Sequence, residues 1–205
     1  MTPDYWPVAK THLAKKDKVL KKLMKAYPDA QLNNRGNPFQ TLARSIVGQQ
    51  ISVKAAQSIW NRFADAAGKV DPASIAALPD ETFRACGFSG QKTRYMKDLA
   101  RHFDAGLVKP RRWKSMEDEA VIEDLVRVKG IGRWSAEMFL LFHMMRPNIL
   151  PVGDLGLQRA MERQYNDAEP LTKDEMRAIA KPWAPWSTVA TWYLWRSLDP
   201  MEVVY

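Results

Sequence analysis

The chain has a single cysteine, Cys86, among its 205 residues. One thiol cannot form a disulfide within the chain, and it cannot supply the four thiolates of an iron–sulfur cluster. The sequence also lacks any apolar run near the roughly 18 residues of a membrane-spanning helix, and the amino-terminal stretch MTPDYWPVAK has no signal-peptide core. These absences predict a protein of a reducing compartment, neither secreted nor embedded in a membrane.

Strand patterns are missing as well, because β-branched residues are scattered and apolar–polar alternation never persists. Helix start signals are frequent instead. Asn37 before Pro38, and Ser52, have the character of amino-terminal caps, and Thr172 with Glu175 has the spacing of a capping box. The sequence therefore predicts an all-α fold with short loops.

Charge is unbalanced: 31 lysines and arginines face 23 aspartates and glutamates, which gives a net charge of +8 and a pI of about 9.6. This balance favours a polyanionic partner, above all nucleic acid. Seven lysines fall between residues 10 and 25, in a stretch predicted to be one helix over 8–26 with Val8 and Leu13 facing inward. A solvated helix surface explains that run better than DNA contact, because charge runs usually serve solubility.

The most informative stretch is Leu125 to Asp154, LVRVKGIGRWSAEMFLLFHMMRPNILPVGD. A helix-like segment breaks at Gly130-Ile131-Gly132, and an apolar helix then runs from Trp134 to Met145, ended by the prolines that follow. Glycines allow a very short turn between two helices, and they expose backbone N–H groups beside the positive end of the second helix. A phosphate is expected to bind there, flanked by the charges of Lys129 and Arg133.

The hairpin LVRVKGIGRWSAEM and the downstream Pro151-Val152-Gly153-Asp154 together resemble the helix-hairpin-helix DNA glycosylases, the HhH-GPD superfamily. Within it the chain is most similar to the alkylbase, or 3-methyladenine DNA glycosylase II, branch. The resemblance runs from about Pro38 to Trp195. A hairpin alone occurs in many DNA-binding proteins, and the added aspartate at this spacing makes the resemblance specific.

This resemblance implies two helical lobes that meet at a cleft, with the hairpin and Asp154 lining its mouth and no additional β-rich domain. We expect a central lobe over about 38–112. The second lobe is expected to combine 1–37 with 113–205 and to contain the hairpin at 125–138.

Asp154 is the candidate catalytic residue. Removal of a base from deoxyribose passes through an oxocarbenium-like transition state, which a nearby carboxylate can stabilise while it orients or deprotonates water. The competing interpretation is a helix N-cap, a role that Asp also fills well and that does not exclude catalysis. An alkylated purine such as 3-methyladenine already carries positive charge. It can leave without a general acid, so one carboxylate suffices.

Trp134 occupies the position where strand-nicking members of the family carry a lysine that attacks the sugar and forms a Schiff base. Without that amine no covalent intermediate forms. The resemblance therefore implies a monofunctional glycosylase that uses water and leaves an abasic site. Lys129 is expected on the wrong side of the hairpin to take over the role.

A target base inside a duplex must be flipped out and held between apolar or aromatic surfaces. The resemblance assigns Trp134, Met138 and Trp195 to this pocket. The remaining tryptophans near the carboxyl end are expected in the core, because an aromatic stripe on a helix usually packs inward: Trp183, Trp186 and Trp192.

The loop Gly48-Gln49-Gln50-Ile51-Ser52, called the wedge loop below, has two interpretations. By resemblance it enters the minor groove, and Gln50 fills the gap that the flipped base leaves in the duplex. The residues by themselves favour an ordinary polar corner between two helices.

The hairpin residues expected to hold the DNA backbone are Val128, Lys129, Gly130, Ile131, Gly132 and Arg133. Their main-chain N–H groups would contact phosphates, which positions a protein without reading base sequence. By resemblance a monovalent cation, Na⁺ or K⁺, binds the carbonyls of Val128 and Ile131. No other metal, cofactor or iron–sulfur cluster is expected, and the three histidines are scattered without metal-ligand spacing.

The sequence thus favours a monofunctional DNA glycosylase that removes alkylated bases from damaged double-stranded DNA in base-excision repair, acting as a monomer. We expect it in the cytoplasm or nucleoid of a bacterium or in the nucleus of a eukaryote. Two alternatives stay open. One is the same scaffold acting on oxidised or deaminated bases, and the other is a non-catalytic DNA-binding hairpin module, which would have no use for Asp154 beside a phosphate site.

Overall fold

The computed structural model describes residues 2–29, 31–32 and 36–198. Within these ranges the chain forms thirteen α-helices and one short 3₁₀ helix and contains no strand, which confirms the predicted all-α fold. No helix in the described part of the chain is long and apolar enough to span a bilayer.

The helices follow one another with short connections. In chain order they are α1 (Trp6–Lys16), α2 (Lys18–Ala26), α3 (Pro38–Gly48), α4 (Val53–Ala67), α5 (Pro72–Ala77), α6 (Asp80–Cys86), α7 (Gly90–Asp104), α8 (Pro110–Trp113), α9 (Asp118–Leu125), α10 (Arg133–Phe142), α11 (Leu155–Tyr165), α12 (Lys173–Ala180), the 3₁₀ helix Lys181–Trp183, and α13 (Ser187–Leu198).

Two compact units divide the described residues: one combines those up to 32 with 140–198, and the other comprises 36–139. The hairpin therefore groups with the residues before it, and the division falls at 139 instead of the expected 112. Residues 199–205 of the expected second lobe lie outside the described residues.

The physical reason for this division is Trp113, in the basic segment Lys109-Pro110-Arg111-Arg112-Trp113-Lys114. That segment folds as α8, and Trp113 is only 2% exposed. Its ring packs edge-on against Phe103 and Phe139, with centroids 6.1 and 5.3 Å away. The indole N–H donates to Asp124 Oδ2 at 2.7 Å, so the segment is anchored within the 36–139 unit.

The core of the 36–139 unit is built on α3, α4, α6 and α7. Phe63, Phe83 and Phe88 form a cluster there with ring centroids 5.0 to 5.4 Å apart, and full burial of each such side chain contributes about 1.5–3 kcal/mol. The predicted caps are confirmed at the starts of α3 and α4, the two helices that flank the wedge loop. Asn37 accepts from the Gln40 amide at the start of α3, and Ser52 accepts from the Ala55 amide at the start of α4.

The other unit is organised around α13, where every residue from Ser187 to Arg196 is buried. Helices α2 and α11 pack against it. The capping box predicted for Thr172 and Glu175 is confirmed at the start of α12.

The single helix predicted over 8–26 is wrong, because the chain breaks at Asp17. This residue has extended backbone angles (φ −141°, ψ 117°) and caps α2 by accepting from the Leu20 amide at 3.0 Å. Its other carboxylate oxygen accepts from the Tyr165 hydroxyl and from the Trp183 indole, both at 2.9 Å. The face of α1 that is buried therefore differs from the face predicted for one long helix. Val8, predicted to face inward, is 60% exposed.

The helix predicted from Trp134 to Met145 is shorter than expected, since α10 ends at Phe142. Met145 adopts a left-handed φ of +55°, and the Arg146 amide donates back to the Leu140 carbonyl at 3.0 Å. The helix therefore ends well before Pro147, and the backbone reverses at Met145, just ahead of that proline.

Candidate functional site

Asp154 stands at the end of a tightly held loop. The turn from Pro151 to Asp154 is closed by the Asp154 amide, which donates to the Pro151 carbonyl at 2.8 Å. The Gln158 side chain donates to the Val152 carbonyl at 2.9 Å, and the Ile149 amide donates to Thr188 Oγ1 at 3.0 Å. The loop is thus fixed both to α11 and to the beginning of α13.

The Asp154 side chain is held by two N–H donors on the same oxygen. Oδ1 accepts from the Leu157 amide at 2.7 Å and from the indole N–H of Trp195 at 2.8 Å. The N-cap interpretation of Asp154 is therefore confirmed, and the tryptophan adds a second restraint that no local pattern announced. The residue is 6% exposed, so its carboxylate is placed in a largely dry and rigid setting.

Trp195 and Gly156 complete this small cluster. The indole of Trp195 is 4% exposed and stacks on Phe142, with ring centroids 5.7 Å apart and planes 9° from parallel. A Cβ at Gly156 would lie 3.1 Å from Asp154 Oδ1 and 3.3 Å from the Trp195 indole nitrogen. Glycine at this position is what lets the tryptophan approach the carboxylate. Next to it, Leu155 exposes 65% of its surface, an apolar feature that the sequence alone did not mark.

In the hairpin, three of the expected phosphate-binding amides already have partners. Val128 donates to the Leu125 carbonyl and Ile131 to the Val128 carbonyl, at 3.1 and 3.0 Å. Lys129 donates to Asp98 Oδ2 at 2.8 Å. The amides of the two glycines, Gly130 and Gly132, donate to no acceptor within the described part of the chain, so both are open to a ligand.

Gly130 is fixed by both conformation and space. Its φ is +86°, a region that L side chains rarely adopt, and a Cβ there would sit 2.2 Å from Tyr95 Cδ2. Gly132 is different, because a Cβ there meets nothing within 4 Å. The first glycine is thus required by the fold, whereas the second keeps an open surface over the turn.

The two basic residues expected beside the phosphate site are not equivalent. Lys129 is exposed. The Arg133 guanidinium binds both oxygens of Glu119, at 2.6 and 2.7 Å, and also contacts Glu137 at 3.1 Å. These carboxylates raise the pKa of Arg133, chiefly through the Glu119 hydrogen bonds, and Arg133 in turn lowers the pKa of Glu119. Two acids therefore offset the charge of this arginine.

Asp98 of α7 binds the backbone of the hairpin; the sequence analysis did not single out this residue. Its side chain is 9% exposed and binds the Lys129 amide, with Arg101 at 2.9 Å and the His102 ring nitrogen at 3.3 Å. Burial raises the pKa of Asp98, but the Lys129 amide, Arg101 and His102 together lower it further, so the net pKa lies below the ordinary value.

Trp134 and Met138, expected in the base pocket, lie one turn apart on α10. Trp134 is 41% exposed, which is unusual for so large an apolar side chain, and Met138 is 7% exposed. Of the tryptophans expected in the core, Trp183 and Trp192 are buried as predicted, at 0% and 5%. Trp186 is half-buried and stacks on Tyr5 with centroids 5.5 Å apart.

Gln50 lies exposed in the wedge loop with a left-handed φ of +59°. Non-glycine residues in that region are uncommon and concentrate at functional sites. Its neighbour Gln49 instead contacts the hairpin, where its side-chain amide donates to the Gly130 carbonyl at 2.8 Å. The loop does form a polar corner between α3 and α4, as its residues favoured, and it is also tied to the hairpin.

The candidate residues fall in both units, and each group is described by itself. Asp154 and Trp195 lie in the unit that contains α13, whereas Gln50, the hairpin, Trp134 and Met138 lie in the 36–139 unit. Each unit thus contributes one self-contained part: a restrained carboxylate in the first, and a glycine turn with an exposed loop and tryptophan in the second.

Comparisons with known proteins bear on the family of the chain. A family model described as an HhH-GPD superfamily base excision DNA repair protein matches residues 43–185. DNA-3-methyladenine glycosylase 1 of Schizosaccharomyces pombe is 32% identical over 196 residues, which cover 92% of this chain and 86% of that protein.

Two solved structures are also similar to this chain over most of its length. The crystal structure of DNA-3-methyladenine glycosidase from Bacillus halodurans matches with a TM-score of 0.86 at 35% identity, covering 97% of this chain and 92% of that one. The Schizosaccharomyces pombe 3-methyladenine DNA glycosylase, in complex with abasic DNA, matches with a TM-score of 0.82 at 31% identity, covering 95% and 99%.

Proposed function

Because the chain belongs to the HhH-GPD superfamily of base excision DNA repair proteins, we propose that it is a monofunctional DNA glycosylase. Its reaction is hydrolysis of the N-glycosidic bond of alkylated bases of the 3-methyladenine type. It acts as a monomer on damaged double-stranded DNA, in the compartment that holds the genome: the bacterial cytoplasm and nucleoid, or the eukaryotic nucleus.

Asp154 supplies the chemistry. As the base departs, positive charge develops on the sugar ring, and a carboxylate held beside C1′ stabilises that charge. The same carboxylate orients a water molecule that attacks C1′ on the face opposite the departing base, and it accepts the proton of that water. The two N–H donors on Oδ1 support this role, because a carboxylate that is already oriented needs no rearrangement when the transition state forms.

The 36–139 unit supplies DNA binding. The open amides of Gly130 and Gly132 bind a phosphate. The carbonyls of Val128 and Ile131 would hold a monovalent cation, Na⁺ or K⁺, which would add positive charge to the turn. Gln50 enters the gap left by the flipped nucleotide. Its exposure and left-handed backbone support that assignment.

The residues assigned to the flipped base are Trp134 and Met138 of the 36–139 unit and Trp195 of the other unit. The exposed indole of Trp134 is the open aromatic surface of the three, and an electron-poor alkylated base stacks well on it. Because Trp134 carries no amine, the enzyme forms no Schiff base and leaves the strand uncut.

The observation that carries this proposal is the restrained Asp154, and Asp154→Asn tests it. Asn is as good an N-cap as Asp and retains an acceptor oxygen for Trp195, so the fold survives the change. Release of 3-methyladenine from methylated duplex DNA should fall by at least about 100-fold, with duplex affinity retained. Full activity in the variant would falsify the catalytic role.

The same assay, run over duplexes with alkylated, oxidised or deaminated bases, tests substrate class. Alkylated bases should be released fastest, since a carboxylate without a general acid acts best on a base that leaves unprotonated. Borohydride added during turnover should trap no protein–DNA adduct. A trapped adduct, or a preference for oxidised bases, contradicts the proposal.

A further inference from the structure

We propose that α7 sets a fixed spacing between the wedge loop and the hairpin, and that Gln49 links the two so that phosphate binding and insertion of Gln50 occur as one step. This inference rests on the proposed function and concerns how its DNA-binding parts cooperate. Gln49 and Lys92 are positioning residues in this arrangement, since they act through the loop and touch no substrate.

Three residues of α7 carry the spacing. Lys92, Tyr95 and Asp98 follow one another at intervals of three, which places them along one side of the helix. Lys92 holds the wedge-loop end, because its ammonium donates to the Val47 carbonyl at 2.7 Å. Tyr95 lies against Gly130, and Asp98 binds the Lys129 amide at 2.8 Å. One rigid helix therefore supports both elements.

The Lys92 contact is well suited to fix the loop. Val47 lies in the last turn of α3, where carbonyl groups without helical partners carry partial negative charge. An ammonium placed there stabilises the end of the helix just before the wedge loop begins. Lys92 is only half-exposed, and burial lowers its pKa. The contact is therefore a charge-assisted hydrogen bond that is only partly exposed to water.

Gln49 adds a direct connection. Its side-chain amide donates to the Gly130 carbonyl at 2.8 Å across 81 residues of sequence. Gly130 is one of the two glycines whose amides are open to a phosphate, and Gln49 is the immediate neighbour of Gln50. A shift of the hairpin on phosphate binding is thus passed to Gln50 through one hydrogen bond and one peptide unit.

The backbone of Gln50 explains why such a link is needed. A left-handed conformation costs a non-glycine residue roughly 1 kcal/mol or more and persists only when its surroundings hold it. Two hydrogen bonds made by the residues just before it, from Lys92 to the Val47 carbonyl and from Gln49 to the Gly130 carbonyl, supply that restraint. Without them the loop is free to relax and the tip loses its position relative to the hairpin.

A double-mutant cycle tests the link. The probe is a fluorescein-labelled duplex with one tetrahydrofuran abasic analogue, and affinity is measured by anisotropy for the full chain. Gln50→Ala, Gly132→Ala and their combination are compared in the parent, and again in a background that carries Gln49→Met and Lys92→Met. In the parent, the fold-loss of affinity in the combined variant should differ from the product of the two single fold-losses by at least about threefold. Such a departure from additivity shows that the two sites are coupled.

The control background carries Gln40→Met and Lys97→Met. Gln40 donates to the Val70 carbonyl at 3.2 Å, and Lys97 pairs with Asp80. They match Gln49 and Lys92 in residue type: Lys97 lies on α7 as Lys92 does, and Gln40 lies on α3, the helix that ends just before Gln49. Their hydrogen-bond partners belong neither to the wedge loop nor to the hairpin. Coupling should persist in this background and fall to within error of none in the Gln49→Met, Lys92→Met background.

Coupling that is absent in the parent, or that survives loss of Gln49 and Lys92, overturns the inference. Thermal melts confirm that each background is folded. If the paired background unfolds, Gln49→Met alone is used, and it must still reduce the coupling relative to Gln40→Met alone. The readout is binding, so a failure of base release in the separate 3-methyladenine assay would count against the proposed function and leave this result interpretable.

Discussion

The indole N–H of Trp195 donates to Oδ1 of Asp154 at 2.8 Å, and both side chains are nearly inaccessible, at 4% and 6% exposed. One face of the indole is covered by Phe142. The tryptophan therefore acts on the carboxylate more directly than it offers a stacking surface to a base. Its first effect is to fix the orientation of the group on which the chemistry depends.

Trp195→Phe should lower the single-turnover rate of 3-methyladenine release by about tenfold or more. Phenylalanine keeps the stack on Phe142 but removes the N–H donor, and a hydrogen bond to a charged group is worth about 1.5–3 kcal/mol. Affinity for an abasic-analogue duplex should change little, because no DNA contact is removed.

Trp192→Phe is the matched control for that change. Trp192 lies on the same helix, is 5% exposed and also contacts Phe142, at 6.0 Å. Its indole N–H has no hydrogen-bond partner among the described residues. The control should lose stability as Trp195→Phe does while keeping the rate. Equal rates in the two variants would remove the positioning role of Trp195.

Gly156→Ala should separate stability from catalysis. Alanine favours the first turn of α11 by up to about 1 kcal/mol over glycine, yet its Cβ would press on Asp154 Oδ1 and on Trp195. We expect an unchanged or higher melting temperature together with a several-fold slower release of base. Gly153→Ala, whose Cβ meets nothing within 4 Å, should leave the rate near that of the parent. An equally slow control would point to the loop as a whole.

Gly132→Ala should weaken binding to duplexes of any sequence by about tenfold, since the new methyl group occupies the open surface over the turn and blocks one phosphate contact. The slope of affinity against salt should be preserved, because no cation is removed. Gly130→Ala should instead lower the melting temperature, through strain at its positive φ and overlap with Tyr95. Undiminished binding in Gly132→Ala would show that the phosphate sits elsewhere.

The buried Asp98 predicts a stability difference that depends on pH. Its folded pKa lies below the ordinary value of about 3.9, so the carboxylate stabilises the native state fully above that value. The stabilisation is lost as pH falls through the lower, folded pKa. Asp98→Asn should therefore melt roughly 5 °C below the parent near pH 6, and the gap should close below about pH 4. Exposed Asp80→Asn should show a much smaller gap. A gap that is constant with pH would exclude the charge as its cause.

The fold was predictable where local chemistry decides it. Caps at Asn37, Ser52 and Thr172 mark helix starts through contacts three residues away, and all three are confirmed. The break at Asp17 was not predictable, because the partners that hold its side chain, Tyr165 and Trp183, are nearly 150 and more than 160 residues away in sequence.

The same distinction between local and distant contacts applies to the candidate site. The hairpin glycines and Asp154 could be found because each belongs to a short pattern with its own physical logic. The restraints on them arise from tertiary contacts: Trp195 meets Asp154 across 41 residues, Gln49 meets Gly130 across 81 and Asp98 meets Lys129 across 31. A glutamine or tryptophan without a periodic or motif context gives no signal of such a role.

Arg133 has a consequence for how the protein finds DNA. Its guanidinium is paired with Glu119 and Glu137, so Arg133 itself projects little electric field beyond a few ångströms. Attraction over longer distances must come from cations placed elsewhere on the molecule, among them the seven lysines between residues 10 and 25. Capture and final seating of the duplex are thereby assigned to different residues, and ionic strength governs the first far more than the second.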